Sequence, residues 1–226
     1  MDQLPKINFK EIYIRFNEDI TEDDCGMHCA QHNPSGKPFC CDICQAVPAV
    51  YKAEWAYLKQ ATDLWQSWQG TECPESPQRI TELCQSTPET MELLACLGPI
   101  QCQREYRALS CRQFPFYPYI TEDFRFIGLA YEWYFEVTCW VINHLNLVRL
   151  AYRQEFVSVF DHVFDQWPDE MDSYAELSAE MRDVFGAQGR RIPILHRNGM
   201  NYLLSPGDER LRRADLSKVS RSILYH

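Results

Sequence analysis

Residues 25–44 read CGMHCAQHNPSGKPFCCDIC. They place five thiols and two imidazoles, His28 and His32, in one short stretch, with Gly26, Pro34, Gly36 and Pro38 interrupting regular structure. A loop of this kind has few apolar side chains with which to fix its own shape. An external tie is therefore expected, and thiolate bonds to a metal would supply one. Cys41 and Cys44 form a knuckle able to present two thiolates to one metal, and Cys25 and Cys29 form a wider one. Cys40 and Cys41 are adjacent, and on extended backbone adjacent side chains point to opposite faces. Both serve one centre only if the chain turns sharply between them.

The remaining cysteines lie outside this loop. A second block, ACLGPIQCQREYRALSCRQFPFYPYI (residues 95–120), carries Cys96, Cys102 and Cys111, and Cys139 follows in TCWVI. Cys73 and Cys84 have no close cysteine neighbours and read as ordinary buried thiols. Eleven cysteines is an odd count, which fits poorly with complete pairing. The opening MDQLPKINFKEIYIRF lacks an apolar core and a small-residue cleavage site, so a cytoplasmic, reducing location is expected. There, clustered cysteines point to metal or redox chemistry. Sulfur-rich sites suit zinc or an iron–sulfur cluster and disfavour hard cations. The wide spacings favour the cluster over zinc. The three-cysteine run of radical enzymes is absent, because ten residues follow Cys29 before the next cysteine. His28 and His32 read as solvated loop residues in preference to ligands, and His196 as a polar hairpin residue.

Composition narrows the class. The chain is 46% hydrophobic and 13% aromatic, which argues for a globular fold. A net charge of −10 argues against a nucleic-acid partner. The sign is uneven: residues 186–226 carry eight Lys/Arg against three Asp/Glu, net +5, which leaves −15 for residues 1–185. The basic segment is expected to dock on the chain's own acidic body. Arg125, Glu132 and Glu136 exclude a membrane span from the aromatic stretch around them.

The hydrophobic period predicts one strand in KINFKEIYIRF (residues 6–16). It predicts a helix with Val47, Tyr51, Trp55, Leu58, Ala61, Trp65 and Trp68 on one face, opened near Pro48 and stopped by Gly70. Ser76-Pro77 and Thr87-Pro88 read as the openings of two short helices over 71–95. Residues 116–142 read as a β-hairpin or small meander with a turn at Thr121-Glu122-Asp123 and a bulge at Gly128. A helix lined by Val148, Tyr152, Phe156, Val159, Phe160 and Val163 ends at Pro168. Another opens at Ser173 and Glu176, with Leu177, Met181, Val184 and Phe185 as its stripe and Gly186 as its stop. Asn198-Gly199 predicts a second hairpin. Together these predict an α+β fold: a mostly helical single domain, residues 1–226, with a small antiparallel β element and irregular cysteine-rich metal-binding loops. Within it, residues 25–140 form a cysteine-cluster core, 141–187 a helical extension and 188–226 a hairpin with a basic tail.

The two cysteine blocks resemble the YkgJ-like cysteine-cluster family, described as a zinc- or iron-chelating domain with a CxxCxxCC-type first half and a later C…C…Y…CRxFPF run. Cys25, Cys29, Cys40 and Cys41 stand for the first half, stretched by ten residues. Cys96, Cys102, Tyr106, Cys111, Arg112, Phe114, Pro115 and Phe116 match the second more closely, and Cys139 sits where such proteins carry a last cysteine. The resemblance covers residues 25–140 and implies a cysteine-ligated metal, with Cys44 and Cys139 as further ligands. Three functions follow as expectations. The first is a redox or metal-handling protein. The second is an S-adenosylmethionine-dependent protein N-methyltransferase, since flagellin lysine N-methylases share the signature. The third is a structural metal site in a module that binds a protein partner. No G-x-G-x-x-G, G-x-S-x-G, H-E-x-x-H or P-loop occurs, so no catalytic residue is assigned.

Overall fold

The computed structural model describes residues 7–73, 77–218 and 225. Ser76, expected to open a helix, and residues 219–224 and 226 of the basic segment lie outside the described residues.

Helix α1 (Phe9–Arg15) replaces the strand expected over 6–16. Asn8 caps it by accepting the Glu11 N–H, and Phe9, Ile12, Tyr13 and Phe16 are buried along one face. Here a polar cap followed by a 3.6-residue period outweighs the apparent alternation. Helix α2 (Cys25–Ala30) opens the cysteine loop. The long helix expected over 47–70 is instead strand β1 (Ala49–Tyr51), helix α3 (Lys52–Ala61) and strand β2 (Trp65–Ser67). Helix α4 (Pro77–Ser86) matches the first short helix expected in the next stretch. The second is overturned, because the chain there forms strand β3 (Met91–Cys96). This strand pairs antiparallel with β1 on one side and β2 on the other, in the order β1-β3-β2. Pairing to β3 draws both ends of the Val47–Trp68 stretch out of helix, a case of tertiary contacts overriding local period.

A short helix α5 (Leu109–Gln113) follows, then β4 (Phe116–Ile120) and β5 (Phe126–Tyr131). Their pairing shifts register between Tyr119 and Ile120, which leaves Ile127 as the extra residue of a bulge beside Gly128. The hairpin ends at Tyr131, and helix α6 (Trp140–Asn143) occupies the end of the region expected to continue it. Helix α7 (Leu150–Gln166) carries the expected stripe and stops before Pro168. Helix α8 (Asp169–Ala187) starts ahead of Ser173 and buries Tyr174, Ser178, Met181 and Phe185. The Asn198-Gly199 hairpin is present as β6 (Ile192–His196) and β7 (Asn201–Leu204), and β8 (Leu211–Arg213) pairs with β7.

Strands β4 to β8 thus form a five-stranded antiparallel sheet in sequence order. Helix α8 packs on β4 and β6, and α7 on β5. The Ser178 hydroxyl accepts the Ile120 N–H at 3.0 Å and donates to the Tyr174 carbonyl, which stitches α8 to β4.

The expectation of a mostly helical single domain with one small β element is therefore corrected. Among the described residues the chain is mixed α+β with two antiparallel sheets, of three and five strands. It divides into two compact units, one of residues 1–17 and 26–112, the other of 18–25 and 113–226. No helix among the described residues is long and apolar enough to cross a membrane.

Candidate metal centre

The cysteine loop is fixed by polar contacts that its composition concealed. Asp42 is 4% exposed and Asn33 5%. The Asp42 carboxylate accepts from Asn33 Nδ2 at 3.0 Å, from the Ser35 hydroxyl at 2.7 Å and from the Cys44 N–H at 3.1 Å. Burial alone would raise its pKa, but the Ser35, Asn33 and Cys44 hydrogen bonds outweigh it and hold the carboxyl below its ordinary range. Asn33 also donates to the Lys37 carbonyl at 2.9 Å. The outside tie is a disulfide between Cys44 and Cys73. Two expectations are corrected by that bond: Cys44 is not a thiolate in this structure, and Cys73 is not an ordinary buried thiol.

Four of the other proposed ligands belong to the first unit and lie within electrostatic reach of one another. Cys41 is contributed by a 3-10 turn (Phe39–Cys41), Cys96 by the last position of β3, Cys102 by the end of a 3-10 turn (Pro99–Gln101), and Cys111 by α5. All four are half-buried. Desolvation raises the Cys96 thiol's pKa, and the nearby Cys41 and Cys102 raise it further. Burial pushes the Cys111 thiol up most strongly, with Cys41, Cys96 and Cys102 adding to the effect and Arg107 opposing it. Such crowding of sulfur donors without a cation keeps thiols protonated, and a bound cation inverts the effect. The Arg107 Nε–H donates to the Cys102 sulfur at 3.2 Å. Burial disfavours the Arg107 charge, but that bond, together with the field these sulfurs exert once ionised, more than restores it. Among the described residues, no three His, Cys, Asp or Glu side chains stand close enough, as they are, to hold a metal ion.

The other sequence-predicted ligands are placed differently. The Cys40 sulfur is 3.9 Å from that of Cys41, so the turn does bring the adjacent pair together. Cys29 is buried in α2, with its thiol on the Gly26 carbonyl at 3.5 Å. Cys25 and Cys139 belong to the second unit. Cys25 lies in the electrostatic neighbourhood of Tyr152 there, and Cys139 is buried at the start of α6. Cys84, expected as a buried thiol, is instead exposed on α4. His28 is partly buried on α2 and His32 is exposed in the turn after it.

Sequence reasoning assigned no role to the residues behind this wall. Arg112, 7% exposed, sends its guanidinium into a nest of backbone carbonyls, those of Arg107, Arg104, Glu105, Tyr13 and Phe16. It also lies over the Tyr13 ring, 4.5 Å from its centre. Glu54 of α3 is 1% exposed and accepts from the Tyr13 hydroxyl at 2.5 Å and the Leu109 N–H at 2.6 Å. Its other oxygen, Oε2, has no hydrogen-bond partner. Burial pushes its pKa up to about 7 against the pull of those two donors and the weaker pulls of the Tyr51 N–H and the Arg112 charge. Tyr13, Glu54 and Arg112 thus lock α1, α3 and α5 together and fix the segment that carries Cys111. The available signals were a carboxylate on the apolar face of α3 and an arginine directly after Cys111. Comparison with family models, with curated proteins and with solved structures finds no match for this chain.

Proposed function

We propose that the first unit holds a cysteine-ligated metal centre, an iron–sulfur cluster in preference to zinc, in a redox or metal-handling role. The observation that carries the proposal is that the thiols of Cys41, Cys96, Cys102 and Cys111, from separate segments, lie within electrostatic reach of one another. An all-sulfur donor set fits a soft or borderline metal. A four-thiolate site is anionic overall, and the Arg107 N–H on Cys102 is the type of outer hydrogen bond that orients a ligand sulfur and tunes the metal. The resemblance of Cys96, Cys102, Tyr106, Cys111 and Arg112 to the cysteine-cluster signature favours the same ligands. Cys40, beside Cys41, is the reserve donor. Cys44 is excluded while it is bonded to Cys73. A cytoplasmic location belongs to the same proposal, since ligand thiols have to be kept reduced; the Cys44–Cys73 bond is the one feature that a reducing compartment opposes. Both sheets are antiparallel, so the methyltransferase expectation gains no doubly wound cofactor site from the fold.

The test is elemental analysis and visible absorption of protein purified without oxygen. Iron with matching sulfide and a broad band bleached by dithionite supports the cluster, and stoichiometric zinc in a colourless protein supports the zinc form. Cys41→Ser and Cys111→Ser are each expected to lose the metal and lower the melting temperature, while Cys84→Ser keeps both. A folded protein that is stoichiometrically empty of metal refutes the proposal.

A further inference from the structure

At one end of the five-stranded sheet, the start of β6, the end of β7 and the start of β8 lie side by side, because Ile192 pairs with Leu204 and Leu204 with Leu211. A pocket of about 540 Å³ opens there, lined by Arg191, Arg210, Arg212, Ser205, Asp208 and Leu211. All three arginines are exposed. Among the described residues none of them has an ion-pair partner. Their neighbours in the same unit do: Arg190 is bonded to Glu136, Arg197 to Asp161 and Arg182 to Glu209. The basic segment therefore neutralises some of its charge on the acidic body and leaves three arginines without ion-pair partners lining one concavity.

The loop that supplies this wall is held in shape. Glu209 has φ +50°, a left-handed conformation that a side chain with a Cβ rarely adopts. The conformation is maintained by its carboxylate, which accepts from Arg182 at 2.8 Å, the Tyr119 hydroxyl at 3.2 Å and the Glu122 N–H at 3.0 Å. With Glu209 anchored inward, the flanking Asp208 and Arg210 are exposed. Asp208 is the one carboxylate on the wall, and its own loop engages it. The Ser205 hydroxyl and the Arg210 backbone N–H bind it, with a smaller pull from the Arg210 charge, and these hold its pKa below the ordinary range. The residues that line the pocket thus carry three positive charges against one occupied negative charge.

We propose that this pocket binds a small anion carrying adjacent phosphate groups, of the pyrophosphate or diphosphate-ester class. Guanidinium forks match phosphate oxygens in pairs, and three of them are engaged together only by a multiply charged anion. The pocket volume lies in the range of small-molecule sites. Its lining offers no aromatic face for a nucleobase and a single apolar side chain, Leu211, so recognition rests on the phosphates. The site lies in the second unit alone and does not depend on the thiol centre of the first.

Isothermal titration calorimetry of the full chain, in about 50 mM salt to limit screening, tests the proposal with sodium pyrophosphate and with inorganic phosphate. Saturable binding of pyrophosphate, tighter than that of inorganic phosphate, is expected. The combined Arg191→Gln, Arg210→Gln and Arg212→Gln variant is expected to weaken it by at least about tenfold with its melting temperature unchanged. Arg197→Gln, whose arginine is paired elsewhere, leaves the affinity as it was. Sedimentation with phosphatidylcholine vesicles, with and without a phosphoinositide, separates the two sources of such phosphates. Retention that needs the phosphoinositide and is lost in the triple variant assigns them to a lipid headgroup, and absence of retention alongside pyrophosphate binding assigns them to a soluble ligand. No saturable binding in either format, or equal binding by the triple variant, overturns the proposal.

Discussion

The Arg112 guanidinium, buried and bonded to five backbone carbonyls, acts as a rivet between α1 and the turns that lead to Cys111. Lysine presents a point charge and cannot span that nest. Arg112→Lys is therefore expected to lower stability by about 3 kcal/mol, measured by urea denaturation, and a loss within error of zero would remove the rivet role. Glu54 gives a pH signature. Its pKa is 4.5 in an unfolded chain and about 7 in the fold, so the folded state binds its proton more tightly. The stability it contributes is complete below pH 4.5 and is lost as pH rises towards about 7. Glu54→Gln resembles the protonated form, so the variant should gain on the wild type by on the order of 2 kcal/mol between acidic and neutral pH. Parallel denaturation curves for the two proteins at pH 5 and pH 8 would contradict this. Neither residue's role was legible in the sequence. Which carbonyls surround Arg112, and which donors reach Glu54, depends on segments far apart in the chain. The candidate thiols were legible because cysteine type and density carry the signal by themselves. The Asn33–Asp42 hydrogen bonds and the Cys73 partner of Cys44 were not, since pairing is a matter of geometry.

At the scale of elements, the β4–β5–β6 region depends on close approach at Gly128. A Cβ there would lie 2.4 Å from the Leu195 carbonyl oxygen and 2.7 Å from the His196 Cα, at φ +151°. Both obstacles are backbone, so Gly128→Ala has to disrupt the pairing of β5 with β6. A loss of about 3 kcal/mol or more is expected, seen as a lower melting temperature by calorimetry. The loop between β7 and β8 depends on Glu209 and Arg182, whose side chains are each 15% exposed. Arg182→Ala leaves that carboxylate without its cation and is expected to cost about 3 kcal/mol, with raised amide exchange over residues 205–210 as the local readout. Elements with a long, clean period were read correctly from sequence: α7 with its Pro168 stop, and the Asn198-Gly199 hairpin. Those misread had competing patterns. Phe9, Tyr13 and their neighbours satisfy both an alternating and a helical period, and the Asn8 cap decides between them. The Val47–Trp68 stretch has helical spacing throughout, yet strand β3 captures both of its ends.

For the molecule as a whole, division into two units predicts that perturbing the thiol region is felt unevenly. Cys73→Ser removes the bond that closes the chain between Cys44 and Cys73, a separation of 29 residues. A loss of about 3 kcal/mol is expected for a loop of that length. Hydrogen exchange should rise across the cysteine loop and β1–β3, while the five-stranded sheet keeps its protection. Equal loss of protection in both units would mean that they unfold as one. The composition foretold a sizeable core but not its partition, because hydrophobic content does not report which apolar faces meet.

The five-stranded sheet has two outer margins. On one, β4 contains Pro118, which has no N–H to offer, and α8 lies across it. On the other, β8 is three residues long and bears Arg212 and Arg213, both solvent-facing. A strand arriving from a neighbouring copy meets a missing donor at one margin and a short, like-charged row at the other. Recruitment into an extended ribbon is thereby discouraged at both sides, which guards a concentrated solution of this protein against fibril growth through that sheet.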